Sequence, residues 1–245
     1  MKVWGISDIG LVRKENQDAY AVKERTESGY TICVVCDGMG GAAGGQMASR
    51  IAVDTFMAET ETALRPGMTP EQVRETAACA VSQANRAIRL EAERSEEYQG
   101  MGTTLVSAVS CGERSVLLNV GDSRAYHITA QGITRITRDH SLVQHMLERG
   151  DITAEEARSH PSKNIITRAL GPDAVVDWDS YICPMQPGEY LLLCTDGLTN
   201  TVTDQEIWQA VLDGPTPEDA LARLLEISKA HGAPDNVTVV LMRAE

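Results

Sequence analysis

Ile32-Cys-Val-Val-Cys36 runs straight into Asp37-Gly38, and Tyr190-Leu-Leu-Leu-Cys-Thr195 runs in the same way into Asp196-Gly197. Short, apolar, β-branched or leucine-rich runs bounded by Gly, Asp or Pro are strand signals. The pattern recurs: Val116-Leu-Leu-Asn-Val-Gly121 stops at Asp122, Asp235-Asn236 opens Val237-Thr-Val-Val-Leu241, and Asp18 stands just before Ala19–Lys23. Singly, an Asp at a strand end is a turn residue, since Asp caps turns and Gly supplies positive φ. Jointly, buried central strands whose ends carry carboxylates bring like charges together, and such a cluster raises its own pKa values or calls for cations. Carboxylates with a backbone carbonyl are hard oxygen donors, which suit octahedral Mg²⁺ or Mn²⁺ and not zinc.

Further strand-like runs lie outward from these, at Lys2–Ile6, Tyr30–Cys36, Thr103–Val109, Arg124–Ile128, Val175–Ile182 and Asn236–Met242. Amphipathic helices are read from Gly45 to about Ala63, through Ala48, Ile51, Ala52 and Phe56, and from Pro70 to about Glu97, through Val73, Ala77, Val81, Ala84 and Ile88. Thr69-Pro-Glu-Gln72, Thr203-Asp-Gln-Glu206 and Thr216-Pro-Glu-Asp219 carry helix-start chemistry, so the last two predict two C-terminal helices. Hairpin-length gaps such as Gly121-Asp-Ser123 favour antiparallel pairing and regular βαβ alternation is absent, which predicts an α+β fold of stacked sheets flanked by helices. Thr137–Ala169 lacks either period and reads as a functional flap, with one short capped turn at Thr153-Ala-Glu-Glu156. No repeat, linker or domain boundary is visible.

The 245 residues carry 22 Lys+Arg and 35 Asp+Glu, a net charge of −13, which works against binding a nucleic-acid backbone. With 42% hydrophobic residues the chain has material for a core. No apolar run reaches membrane-spanning length and no signal-peptide pattern opens the chain, so no membrane association and a cytoplasmic location are expected. The six cysteines are scattered through apolar segments and read as reduced, buried thiols. Cys33 and Cys36 share a CxxC spacing, but residues three apart on a strand face opposite sides.

Gly38-Met-Gly-Gly-Ala-Ala-Gly-Gly45 leads into a helix but lacks the Lys-Ser/Thr ending of a phosphate-binding loop, so its glycines are read as letting a backbone carbonyl approach a metal. Arg13, five residues before Asp18, has the reach to present a guanidinium beside the metals. His140, His145 and His160 are read as flap or surface residues, and Cys194 as core.

Ser7-Asp-Ile-Gly-Leu-Val-Arg13-Lys-Glu-Asn16-Gln-Asp18, Val35-Cys-Asp37-Gly-Met-Gly-Gly41, Gly102-Thr-Thr104, Gly121-Asp-Ser-Arg124-Ala-Tyr126, Asp139-His-Ser141, Ile166-Thr-Arg-Ala-Leu-Gly171, Leu192-Leu-Cys-Thr-Asp196-Gly-Leu198 and Asp235-Asn-Val-Thr238 occur in that order. Together they resemble the motif set of bacterial type 2C metal-dependent (PPM) protein Ser/Thr phosphatases. The resemblance implies one catalytic domain over 1–245, folded as a four-layer α-β-β-α sandwich of two mainly antiparallel sheets flanked by helices, with a flap at about 137–170. It implies two Mn²⁺ or Mg²⁺ ions per chain and a third, weaker site. Asp37 would bridge the two metals, the Gly38 carbonyl would bind one, and Asp196 and Asp235 would bind the other.

By the same resemblance Asp18 would act through water, Asp122 with Asp196 would form the third site, and Arg13 would hold the substrate phosphate. A metal-bridging hydroxide would attack phosphoserine or phosphothreonine directly, with no phosphoenzyme. The implied partners are phosphorylated proteins, a Ser/Thr kinase among them, and the implied state is a monomer. Three positions depart from the family's pattern. Gln17 stands where many relatives have Glu, Met39 where eukaryotic members carry a His, and Ala42 where a bacterial His is common. The first would weaken a water-mediated metal contact. The other two leave the leaving-group acid unassigned, with metal-bound water and a flap histidine as candidates.

Overall fold

The computed structural model describes residues 1–245 except for the side chains of Ala42, Arg158 and Ser159. In chain order the strands and helices are β1 (Lys2–Asp8), β2 (Asp18–Lys23), β3 (Thr31–Met39), α1 (Gly41–Ala63), α2 (Pro70–Ala92), β4 (Gly102–Thr103), β5 (Leu105–Cys111), β6 (Arg114–Val120), β7 (Arg124–Thr129), β8 (Gly132–Arg135), α3 (Leu142–Arg149), α4 (Ala154–Ser159), β9 (Asp179–Pro184), β10 (Tyr190–Cys194), α5 (Asp196–Thr199), α6 (Asp204–Asp213), α7 (Pro217–Ala230) and β11 (Val237–Arg243). One sheet has the order β1-β11-β10-β7-β8. The other has the order β2-β3-β5-β6-β9, with β4 added to β3. Every pairing is antiparallel.

The layers follow from alternation along strands whose central positions are all apolar, as at Ile32–Cys36 and Val239–Met242. Cys33 and Val35 point into an inter-sheet core with Leu191, Leu193, Val240 and Met242. Their neighbours Ile32, Val34 and Cys36 point the other way, into a core capped by Ala48, Phe56, Val81 and Ile88 of α1 and α2. Leu192, Cys194, Val239 and Leu241 likewise face Ile207, Leu221 and Leu224 of α6 and α7. Three apolar layers between four structural ones give the α-β-β-α sandwich. The split of Cys33 and Cys36 between two cores matches the strand reading of their spacing. Cys194 is fully buried.

Several boundaries differ from the expectation. Gly121–Ser123 is no hairpin turn: β6 and β7 lie in different sheets, and the segment carries the chain from one to the other. Helix α1 begins at Gly41 rather than Gly45, and α2 ends at Ala92 rather than near Glu97, with a 3-10 turn following at Glu96–Tyr98. The strand read from Val175 begins at Asp179, and β8 and α3 were not foreseen. Strand β8 is a four-residue edge strand, too short to show a period. Helix α3 is framed by the Ser141 N-cap, which accepts from Gln144 N–H, and by Gly150 in the left-handed region; its half-buried Val143, Met146 and Leu147 lie on one face, but eight residues are too few for that stripe to stand out. The expected capped turn at Thr153 is the start of α4, with a full capping box. Cys79 and Cys111 are exposed, against the reading of all six thiols as buried: Cys79 lies on the outward face of α2, and Cys111 is the last residue of β5, where the strand leaves the core.

The register sends the acid-bearing strand ends to one edge of the sandwich. Asp18 at the start of β2 pairs with Asp37 at the end of β3. Cys194, the last residue of β10, pairs with Val239 near the start of β11 and with Arg124 at the start of β7. Asp196, Asp235 and Asp122 follow or precede these ends by one or two residues.

Candidate metal centre

At that edge lies a cavity of about 560 Å³ whose wall includes Arg13, Asp37, Gly38, Asp122, Asp196 and Asp235. Six of the seven residues singled out from the sequence therefore meet on one surface. Asp18 is the seventh and stands behind it, where its Oδ2 accepts from the Thr195 hydroxyl at 2.9 Å. Its Oδ1 is buried and has no hydrogen-bond partner among the described residues.

The glycines after the two decisive aspartates do a different job from the one expected of Asp-Gly. Neither Gly38 nor Gly197 has positive φ. Each is a point of close backbone approach. A Cβ on Gly38 would lie 2.0 Å from the Gly45 carbonyl oxygen, and one on Gly197 would lie 1.9 Å from that of Asn236. The strand carrying Asp37 and the start of α1 therefore touch without side chains between them, and the Asp196 turn closes on Asp235-Asn236 in the same way.

The backbone of Asp37 is clamped further: its N–H donates to Thr104 Oγ1 at 2.9 Å and its carbonyl accepts from Thr103 Oγ1 at 2.8 Å. Asn200 Nδ2 donates to Asp196 Oδ2 at 2.9 Å. Asn236 ties down the loop that bears Arg13: its Oδ1 accepts from Gln17 N–H at 2.8 Å, and its Nδ2 donates to the Ile9 and Glu15 carbonyls at 2.9 Å. Arg13 Nη2 then meets Asp235 Oδ2 at 2.7 Å. The motifs containing Thr104 and Asn236 were visible in the sequence. Their roles were not, because a side-chain bond to a backbone 67 or 219 residues away leaves no local trace.

Electrostatics mark the same place. Burial, then the neighbouring carboxylates Asp18, Asp196, Asp122 and Asp235, hold Asp37 well above the ordinary carboxylate range. Burial pushes Asp18 up to about 7, with the Thr238 and Thr195 hydroxyls opposing it. Asp122 is pushed to about 8, again by burial first and then by Asp196 and Asp139. Asp196 is raised by burial and Asp235. The Arg13 guanidinium is raised by its bond to Asp235.

No three Asp, Glu, His or Cys side chains among the described residues already surround one point at ligand spacing. The fit to divalent cations rests instead on an oxygen-only donor set along one cavity, a buried Asp18 oxygen without a donor, and the glycine approach that brings the Gly38 backbone to the wall.

The departures resolve in part. Gln17 Nε2 donates to the Gly41 carbonyl at 2.6 Å, so this amide pins the glycine-rich loop. Met39 lines the cavity. The Ala42 position lies outside the described side chains. The flap histidines do not supply an acid to the cavity. His140 is 1% exposed, with Nδ1 accepting from Gly121 N–H at 3.0 Å and Nε2 3.2 Å from Asp179 Oδ2. His145 is exposed on α3, and His160 Nδ1 accepts from Ser162 N–H. None of the three lines the cavity. No helix of the described residues is long and apolar enough to cross a membrane.

Comparison with known proteins agrees with this architecture. The family model for protein phosphatase 2C matches residues 12–234. The serine/threonine phosphatase stp of Listeria monocytogenes is 35% identical over 239 residues, covering 98% of this chain and 94% of its own length. The crystal structure of serine/threonine phosphatase Stp1 from Staphylococcus aureus superposes with a TM-score of 0.93 at 36% identity, over 100% of this chain and 95% of that one. The catalytic domain of serine threonine protein phosphatase PstP, solved in complex with two manganese ions, superposes with a TM-score of 0.84 at 33% identity, over 98% and 96% of the two chains. With the matched model spanning the Arg13 loop through to the residue before Asp235, and with the sandwich shared in full, the chain belongs to the protein phosphatase 2C family.

Proposed function

We propose that the chain hydrolyses phosphoserine and phosphothreonine in proteins, as a metal-dependent protein-serine/threonine phosphatase. The observation that carries this is the convergence of Asp37, Asp122, Asp196 and Asp235 with Arg13 on one cavity at the sandwich edge. Asp37, Asp196, Asp235 and the Gly38 carbonyl are the residues that would hold two divalent cations, Mn²⁺ or Mg²⁺. Asp122 with Asp196 would hold a third, weaker one, and Asp18 would contribute from behind the wall through water. Bound cations supply positive charge to the phosphoryl oxygens and lower the pKa of water toward neutrality.

The chain's own residues bind and orient the ester. One of the five N–H donors of the Arg13 guanidinium engages Asp235, and the geometry of the fork suits a phosphate on the remaining ones. Asn236 and Gln17 fix the loop from which Arg13 projects, so the guanidinium meets the phosphate preorganised. The wall carries no cysteine, histidine or serine among the described residues, and its one hydroxyl, on Thr104, is held by Ser123 at 2.7 Å and by Asp37 N–H. With its carboxylates committed to the cations, the wall would leave no side chain as nucleophile, and the proposed attack is by water with no phosphoenzyme.

The whole chain, 1–245, would form one catalytic domain, and a monomer is the state proposed for it. Its substrates would be phosphorylated proteins, with a Ser/Thr kinase as the enzyme that it opposes. A reducing, cytoplasmic setting goes with the six free thiols. The test is phosphate release from a phosphothreonine peptide with Mn²⁺, with Mg²⁺ and with excess chelator, using Asp37→Ala as the control. Release that needs metal and disappears in the variant is the expected result, and metal-independent release surviving in Asp37→Ala would overturn the reading.

A further inference from the structure

Asn85 belongs to no motif read from the sequence. It stands on the core-facing side of α2, where every other buried residue is Ala, Val or Ile, and is itself 2% exposed. An amide buried without partners is costly, so the side chain must be holding something. Its partners all lie in residues 171–174, just past the flap. Oδ1 accepts from Gly171 N–H at 2.6 Å, and Nδ2 donates to the Asp173 carbonyl at 3.0 Å, with the Ala174 carbonyl at 3.4 Å. Arg89, one turn along α2, donates to the Pro172 carbonyl at 3.1 Å. Gly171 takes a φ of +108°, and a Cβ there would lie 2.6 Å from the Met101 carbonyl oxygen. A glycine has no side chain of its own to pack, and the hold on this residue comes from α2.

That segment leads back to the strand that bears Asp37. Leu170, next to Gly171, exchanges backbone hydrogen bonds with Thr103, N–H to carbonyl in both directions, at 2.9 and 3.0 Å. Thr103 lies in β4, whose other side pairs with Gly38 and Met39. Its hydroxyl and the Thr104 N–H both donate to the Asp37 carbonyl, at 2.8 and 2.9 Å. A two-residue strand makes too few bonds to fix itself, so its place is set by the neighbours on its two sides. We propose that Asn85 is a positioning residue for the metal centre: it fixes Gly171, the adjoining Leu170 fixes Thr103, and Thr103 sets the backbone of Asp37 and Gly38. The inference rests on the reading of those two residues as metal ligands. A carboxylate that bridges two cations, and a carbonyl that meets one of them, tolerate little displacement of the strand that carries both.

The test compares two α2 variants of the whole protein. Asn85→Leu roughly keeps the volume and leaves Gly171 N–H without its acceptor. Val81→Ala, one turn earlier, removes packing at a fully buried position and touches no hydrogen bond of the 171–174 segment. Calorimetric titration with Mn²⁺, at a temperature where both are folded, should show Kd raised about tenfold in Asn85→Leu, the lower end of what loss of a group that orients a metal ligand costs. Val81→Ala should stay within about twofold of wild type although it melts lower. In chelator, the Leu170 and Thr103 amides should exchange faster in Asn85→Leu than in Val81→Ala. Should the leucine variant not fold, Asn85→Ser, in which a water can stand in for the amide, gives the same comparison at about threefold. Equal loss of Mn²⁺ affinity in the Asn85 and Val81 variants would overturn the proposal, since Asn85 would then serve the fold alone. An affinity left unchanged by the Asn85 substitutions would overturn it too. Wild-type protein that binds no Mn²⁺ would instead remove the metal-centre reading, and this one with it.

Discussion

Asp196 shows how much a single residue can be asked to do. Its carboxylate opens on the cavity, accepts from Asn200, and is raised in pKa by burial and then by Asp235. Asp196→Asn keeps the shape and removes the charge. Since loss of a residue that merely orients a metal ligand costs ten- to a hundredfold, loss of a ligand should lower Mn²⁺ affinity and kcat/KM by about two orders of magnitude or more. In excess chelator the variant should melt no lower than wild type, because a like charge has left a buried cluster. Calorimetric Mn²⁺ titration and thermal melts check both halves, and tight Mn²⁺ binding by the variant would remove Asp196 from the ligand set. The neighbouring glycines behave differently. Gly38→Ala or Gly197→Ala places a methyl group about 2 Å from a backbone oxygen that cannot move without shifting a strand or helix end. Each should destabilise the fold by about 2–3 kcal/mol in urea denaturation, metal or no metal. The acids were legible in the sequence because a run of apolar residues ended at each. The reason for the glycines was not, because close approach to a residue far along the chain looks the same in sequence as a turn.

At the scale of elements, the flap is joined to the catalytic edge through His140. Its ring accepts from Gly121 N–H, its own N–H donates to the Gly121 carbonyl, and its carbonyl accepts from Thr167 N–H. Arg124 adds a bidentate bond to Asp139 next door. The segment that reads as structureless is thus pinned at its base beside Asp122. Burial, ahead of the opposing bond from Asp179, holds His140 below its ordinary pKa, so the folded state favours the neutral ring. A depressed folded pKa means that its contribution is present above the unfolded value near 6.5 and is lost as pH falls below it. His140→Asn should therefore cost about 1–3 kcal/mol at pH 7.5 and less at pH 5, and the Gly121 amide should exchange faster in the variant. A cost independent of pH would show that the ring acts by packing alone. Helices with Thr caps were readable because their start chemistry is local, as at Thr69, Thr203 and Thr153. Helix α3 and strand β8 escaped because each is short: eight residues carry barely two turns of a stripe, and four residues too little alternation to read.

Over the whole molecule, the fold places destabilising charge where a ligand can relieve it. The strongly apolar strands of both sheets, read as buried from sequence alone, hold the edge rigid while Asp18, Asp37, Asp122 and Asp196 crowd it with raised pKa values. For a group whose folded pKa is raised, the folded state binds more protons than the unfolded one, so stability is fully present below the unfolded value near 4 and is lost as pH rises through the folded value. With Asp18 at about 7 and Asp122 at about 8, the metal-free protein should lose stability from about pH 4 up to about 8.5. Cations reverse the sign, since they bind the deprotonated carboxylates and displace the protons. The rise in melting temperature produced by saturating Mn²⁺ should then grow across the same interval. His140 works in the opposite direction, but only below about 6.5, so the interval from 7 to 8.5 isolates the acids. Melts in chelator and in Mn²⁺ at pH 7, 7.75 and 8.5 measure the difference directly. A gap between the two curves that stays constant with pH would mean that the four acids do not share their protons with the metal site, and that the charge cluster and the cation centre are separate features of this edge.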